Sequence, residues 1–235
     1  LEQFRSAFKS SFSAALVADA AYRVGAPVGV PASNILPLER DTKIAGPAVT
    51  VETNNDLVAA LVALNRAEKG SVLVIGNAVN GPAGLTGDII ATEASRGGLE
   101  AIVVDGCVRD VAEIRRIGLP VFSRGRIPVG PLKLSKDQKG IGVPGAVVQF
   151  GKATIRPGQW IVGDDDGLIV LNEEDLPAIL EQAMQSFKKE EALVAQIRDG
   201  APLGDLFGIE EFFERRKEDP DVDFNEHVAS KGKAI

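Results

Sequence analysis

The chain has 235 residues, enough to bury a substantial core, and its 45% hydrophobic and 25% charged residues are the composition of an ordinary globular protein. A formal net charge of -7, with no basic cluster denser than Arg115-Arg116 or Lys188-Lys189, excludes a nucleic-acid-binding surface. The single cysteine, Cys107, excludes an intramolecular disulfide, and no apolar run approaches the length of a membrane span, so a reducing, cytoplasmic setting without membrane attachment is the expectation.

In chain order, apolar residues at helical spacing predict an amphipathic helix over 3–22, interrupted in hydropathy by Asp19 and without the layout of a signal peptide. A Pro- and Gly-rich loop follows, then a strand over 43–53 and a helix over 56–70, with Asp56 suited to its first turn and Gly70 to its stop. Two similar units come next. Buried strands at 71–76 and 101–106 are each followed by a loop and a helix, Asp88 to Arg96 and Asp110 to Ile117. Continuous apolar strands alternating with helices predict a parallel sheet and an α/β class. Beyond Pro120 the pattern changes to short strands with Gly turns, then a long charged helix over 173–199 and a polar extension. The domain expectation is one catalytic unit over 1–208, with an extension over 209–235 packed on it or on a neighbouring subunit.

Several chemistries are disfavoured by the residues present. The only histidine, His227, lies in the polar extension, which argues against Ser-His-Asp, Cys-His and His-rich metal sites. Cys107 reads as a small packed thiol. The loop "GNAVNGPAGLTG" (76–87) follows a strand and opens a helix, but it matches neither a dinucleotide nor a Walker fingerprint. The run Asp164-Asp165-Asp166-Gly167 reads as a solvated turn between strands.

In a parallel sheet the loops leaving the carboxyl ends of the strands share one edge, and ligands bind there. If strands 71–76 and 101–106 are neighbours, that edge collects Asp88, Asp105, Arg109 and Asp110, with Gly106 permitting the turn out of the second strand. Arginine grips carboxylates bidentately, and two or three carboxylates with water suit Mg²⁺ or Mn²⁺. The same residues also fit two helix N-termini and a surface ion pair, and on pattern alone both readings stand.

The stretch "GLTGDIIATEASRGGLEAIVVDGCVRDVAEI", with "IPVGP" (127–131), "IRPGQWIVGDDDG" (155–167) and "APLGDLFG" (201–208), resembles the class II pyruvate aldolases of 4-hydroxy-4-methyl-2-oxoglutarate and 4-carboxy-4-hydroxy-2-oxoadipate. These share a fold with the regulator of ribonuclease E activity A. The resemblance covers most of residues 10–208, and its specific part is Gly-Asp followed by Arg-Asp-x-x-Glu.

It implies a swivelling-type α/β/β/α sandwich with a long C-terminal helix and tail, assembled as a homotrimer or homohexamer with sites between subunits. It implies that Asp110 ligates Mg²⁺ (or Mn²⁺), with Asp88 holding the ion through water and acting as a catalytic residue. Arg109 would bind the carboxylate of a small 2-oxo acid and serve catalysis, with Gly87 and the backbone N–H groups of Ile89 and Ile90 around the same moiety. Glu190 of a neighbouring subunit's long helix, or else Glu191, would complete the water shell.

The implied activity is retro-aldol cleavage of a 4-hydroxy-2-oxo di- or tricarboxylic acid to pyruvate and a second carbonyl product, with oxaloacetate decarboxylation as a side reaction. The alternative on the same fold is a non-catalytic regulator that binds an RNA-degrading enzyme. Asp110 favours the enzyme, because the regulators typically lack an acid after the arginine. A methyltransferase is disfavoured, since no Gly-rich nucleoside fingerprint follows a first strand.

Overall fold

The runs Val72-Leu73-Val74-Ile75 and Ala101-Ile102-Val103-Val104 are apolar at every position because the sheet they form is covered on both faces. A computed structural model of the chain describes residues 1–54, 56–77, 83–130 and 141–232; residues 78–82 of the Gly-rich loop and Pro131 of "IPVGP" lie outside them. The described residues divide into two compact units, 1–179 and 180–235.

The expected N-terminal helix is two helices, α1 (Glu2–Ser10) and α2 (Ala14–Arg23), because the Ser13 hydroxyl accepts from the Leu16 N–H and caps a second start. There follow β1 (Leu36–Pro37), β2 (Ile44–Thr53), α3 (Val58–Arg66), β3 (Val72–Asn77), β4 (Gly84–Thr86), α4 (Asp88–Arg96), β5 (Ala101–Val108), α5 (Val111–Ile117) and β6 (Val121–Arg126). Two short antiparallel pairings involve β7 (Val143–Pro144) against β2, and β8 (Val148–Phe150) against β9 (Ala153–Ile155). β10 (Trp160–Asp164) and β11 (Gly167–Leu171) form a hairpin, and a 3₁₀ turn (Glu173–Asp175) leads into the long helix α6 (Leu176–Arg198).

Among the described residues the main sheet runs β1-β6-β5-β3-β2-β10-β11, with β4 beside β5. Strands β2, β3, β5 and β6 are mutually parallel along this path. β6 thus completes a third strand–helix–strand unit where the sequence, with Arg124-Gly125-Arg126, reads as the start of a separate β layer. The pleat sorts the apolar runs. Leu73, Ile75, Ile102 and Val104 enter one core with the apolar faces of α3, α4 and α5. Val72, Val74, Ala101 and Val103 enter the other with Phe122, Phe150 and Ile155.

The acidic run 164–167 does turn between β10 and β11, yet Asp164 is buried, not solvated: its Oδ2 accepts from Ala14 N–H at 2.7 Å, at the start of α2. The α/β class and the long C-terminal helix expected from the sequence are present.

The second unit carries α7 (Leu203–Phe207), α8 (Ile209–Glu218) and α9 (Phe224–Ser230) after α6. Its small core holds Phe212 against Phe224 and His227, with ring centroids 4.9 and 5.5 Å apart. His227 is buried. Since a guanidinium only donates, the 3.2 Å contact from Arg215 Nη1 makes Nδ1 the acceptor and leaves Nε2–H to donate to Gly208 O at 3.0 Å. The one histidine is therefore used structurally within this unit.

Candidate active site

β4 lies parallel to the last residues of β5, pairing Gly84 with Cys107 and Thr86 with Val108. That register carries Gly87 and Asp88 alongside Arg109 and Asp110, and the Arg109 N–H donates to Thr86 O at 3.1 Å to fix it. Gly84 N–H donates to Val129 O at 2.7 Å, tying in the chain that leaves β6. The two strand ends thus bring together Asp88, Arg109 and Asp110.

Asp110 is the N-cap of α5 and adopts a left-handed backbone, φ 56° and ψ 39°. Only Asp41 shares a positive φ among the described non-glycine residues. Such a conformation costs of order 1 kcal/mol or more, and it re-aims the side chain away from a cap: no hydrogen bond runs from its carboxylate to the first turn of α5. Instead Oδ2 sits 3.2 Å from Arg109 Nε, with both side chains about two-fifths exposed. At that exposure the ion pair contributes little to stability.

Three glycines make room for this pair. A Cβ on Gly87 would lie 2.6 Å from Asp110 Oδ2 and 3.2 Å from Arg109 Cγ. A Cβ on Gly130 would lie 2.5 Å from Arg109 Nη1, and one on Gly84 would lie 3.3 Å from Arg109 Cβ. Gly87 is among the residues the sequence resemblance implies. Gly84 and Gly130 were missed, because what they make room for is distant in sequence.

Asp88 opens α4, where its negative charge suits the helix N-terminus, and its Oδ1 accepts from Ile89 N–H at 2.8 Å. Ile89 projects outward, 72% exposed, while Ile90 packs into the core. A pocket of about 40 Å³ runs along Leu57, Gly84, Leu85, Thr86, Gly87, Asp88, Ile89, Ile90 and Arg109.

Asp105 does not join this group. β5 continues through Val108, so "DG" lies inside the strand, and the Asp105 carboxylate is held by Arg124 of β6. Gly106 is accordingly not a turn residue. Its missing side chain leaves space for Leu85 of β4, whose Cδ1 would lie 2.7 Å from a Cβ there. Glu190 and Glu191 belong to the second unit, where they line an open groove on α6 with Phe187, Val194, Ala195 and Arg198.

The donor set bears on a metal. Among the described residues no group of three or more His, Cys, Asp and Glu side chains comes together. Asp88 and Asp110 supply carboxylate oxygens only. That suits Mg²⁺ or Mn²⁺, which take one or two protein carboxylates and complete their shells with water and substrate oxygens. Gly87 keeps the Asp110 Oδ2 side free of any Cβ, so the pair fits such an ion.

Thr86 Oγ1 is buried without a hydrogen-bond partner, alone in this among the side-chain polar atoms of the described residues. Thr86→Val removes that hydroxyl at nearly constant shape and is expected to raise the unfolding free energy by about 1 kcal/mol. Urea denaturation measures this; a loss of stability would show that the hydroxyl is satisfied in solution.

A sequence model of the family described as RraA-like, Aldolase/RraA, matches residues 14–170. A protein of Halalkalibacterium halodurans, provisionally named a 4-hydroxy-4-methyl-2-oxoglutarate aldolase, is 32% identical over 168 residues, 71% of this chain and 78% of that protein. The crystal structure of an uncharacterized protein from Pseudomonas syringae pv. tomato superposes with a TM-score of 0.73 at 23% identity, covering 87% of this chain and 92% of the other. Streptomyces coelicolor RraAS2, described as an unusual member of the RNase ES inhibitor RraA protein family, gives a TM-score of 0.67 at 25% identity, covering 80% and 94%.

Proposed function

The chain belongs to the RraA-like family, Aldolase/RraA, and from that premise we propose that it is a divalent-metal-dependent lyase cleaving a 4-hydroxy-2-oxo acid to pyruvate and a second carbonyl compound. The observation that carries this reading is Asp110, held in a left-handed conformation with its carboxylate beside Arg109 and against Gly87. A backbone outlier that turns an acid out of its helix-capping role and toward an arginine is a feature to expect at a working site.

Asp110, with Asp88 through water, would hold Mg²⁺ or Mn²⁺, which when bound supplies Lewis acidity to the 2-oxo acid. Arg109 binds the substrate carboxylate and places a fixed positive charge next to the pyruvyl unit, where negative charge develops as the carbon–carbon bond breaks. The first-turn N–H of Ile90 adds the positive end of α4 to the same oxygens, while the Ile89 N–H is engaged by Asp88 Oδ1. No lysine is among the described residues that line the pocket. Oxaloacetate decarboxylation leaves negative charge on the same pyruvyl unit and is the proposed side activity.

The pocket on one chain is shallow, so we assign the complete site to a homotrimer or homohexamer in which a neighbour's Glu190 contributes. The regulator reading draws on the likeness to RraAS2 of the RNase ES inhibitor RraA family; the Asp88 and Asp110 pair favours catalysis over it.

The deciding experiment is pyruvate release, coupled to NADH oxidation by lactate dehydrogenase, from 4-hydroxy-2-oxo acids and oxaloacetate with Mg²⁺ or with EDTA. Turnover that EDTA stops supports the lyase. No release from any substrate, together with inhibition of a ribonuclease, would replace it with the regulator.

A further inference from the structure

We propose that the Thr86 hydroxyl is a further substrate-binding group, donating to the same carboxylate of the 2-oxo acid that Arg109 holds. The inference rests on the lyase reading, which supplies the ligand, and adds to it one directed contact.

Thr86 closes β4, and successive side chains of a strand alternate between its faces. Leu85 enters the core beneath α3, α4 and α5, so Thr86 faces the other way, on the side of Gly84. Arg109 lies along that side. A Cβ on Gly84 would stand 3.3 Å from Arg109 Cβ, and one on Gly87 would stand 3.2 Å from Arg109 Cγ. The arginine stem therefore spans the two glycines between which Thr86 lies. Thr86 O accepts from the Arg109 N–H at 3.1 Å, which locks the two residues together. Both line the pocket with Asp88 and Ile90.

Thr86 is only 2% exposed, and its Oγ1 meets no hydrogen-bond partner among the described residues. A buried hydroxyl without a partner is destabilising, and native folds contain few of them. Valine has nearly the same shape and no such penalty, so packing alone does not account for threonine here. A ligand oxygen in the pocket does.

The chemistry fits one ligand class. An ionised carboxylate only accepts, and its two oxygens offer about four lone-pair sites. A bidentate guanidinium engages some of them and leaves others for the Ile90 N–H and for a hydroxyl donor. The carboxylate keeps its charge throughout the cleavage, so this contact is as strong in the ground state as in the transition state. Its loss therefore raises KM and leaves kcat nearly unchanged.

Calorimetry on the full chain with Mg²⁺ measures pyruvate affinity for wild type, Thr86→Val and Thr86→Ser. The valine variant is expected to bind pyruvate about tenfold more weakly or worse, the loss of one hydrogen bond to a charged group. Serine keeps the hydroxyl and should restore most of the affinity. Without ligand, the valine variant should resist urea better than wild type. A more stable protein that binds its ligand less well is the signature of a hydroxyl kept for binding. Thr86→Ala is the second hydroxyl-free variant and should weaken pyruvate as much.

In turnover, Thr86→Val should raise KM about tenfold at nearly constant kcat. Pyruvate affinity equal to wild type in both hydroxyl-free variants overturns the contact and leaves the lyase standing. A fall in kcat with KM unchanged overturns it as well. Weakened pyruvate binding that serine rescues, with no cleavage of any 4-hydroxy-2-oxo acid, supports the contact and overturns the lyase. Wild type that does not bind pyruvate overturns both.

Discussion

Asp110→Asn is expected to lower kcat/KM for pyruvate release by two orders of magnitude or more while leaving the fold as stable as before. The substitution keeps shape and removes one negative charge. Asparagine, like aspartate, tolerates the left-handed region better than other residues, so the φ of 56° at this N-cap remains accessible. The lost Arg109 contact is half-exposed and was worth little to stability. What changes is the ligand: a neutral amide oxygen replaces a carboxylate at the position assigned to a divalent ion, whose contribution is several kcal/mol. Titrating activity against Mg²⁺ should show a raised requirement as well as a lower plateau. Thermal unfolding should superpose on wild type. Retention of activity within a fewfold of wild type at ordinary Mg²⁺ would remove Asp110 from the site.

The comparison with Asp110→Ala sharpens the argument. Alanine removes the carboxylate but also loses the intrinsic tolerance of the left-handed conformation, so stability and activity fall together. The asparagine variant separates these effects.

The central strands and the residues around Asp88 and Arg109-Asp110 were legible because their signals are local. A strand covered on both faces must be apolar at each position, and a strand followed by a helix places its loop at the sheet's carboxyl edge. The interpretation of Asp105-Gly106 as the turn failed for a different reason. The strand extends to Val108 because β4 pairs with it, and β4 is three residues long with no periodicity to announce it. Once β4 is in place, Gly106 is needed for Leu85 and Asp105 is engaged by Arg124.

The same holds for the break between α1 and α2, where Ser13 chooses to cap and not to continue a periodic pattern. It holds for β6 too, whose Arg124-Gly125-Arg126 looks like a loop until it pairs with Cys107 and Val108. Local periodicity cannot report contacts that depend on which distant strand lies alongside.

Gly87→Ala is the prediction that most directly tests the packing of the site. Gly87 has an extended backbone, φ -155° and ψ -162°, which alanine adopts without strain, so conformational freedom is not why glycine stands here. The reason is space. The new methyl would lie 2.6 Å from Asp110 Oδ2, well inside contact distance, and 3.2 Å from Arg109 Cγ.

Both neighbours are ends or middles of flexible, part-exposed side chains and can move, so the stability cost is small. Moving them displaces the carboxylate and the guanidinium from each other and from the substrate. A displacement of about 1 Å at such groups costs on the order of a hundredfold in rate. The expected outcome is a melting temperature within a few degrees of wild type and kcat/KM reduced roughly a hundredfold.

Gly84→Ala supplies the contrast, since its Cβ would stand 3.1 Å from Val129 O and 3.3 Å from Arg109 Cβ, with neither Asp110 oxygen among its nearest atoms. It should cost less activity and relatively more stability, because a backbone carbonyl must yield. Equal activity losses in the two variants would show that Arg109, and not the Asp110 carboxylate, is what the glycine at 87 protects.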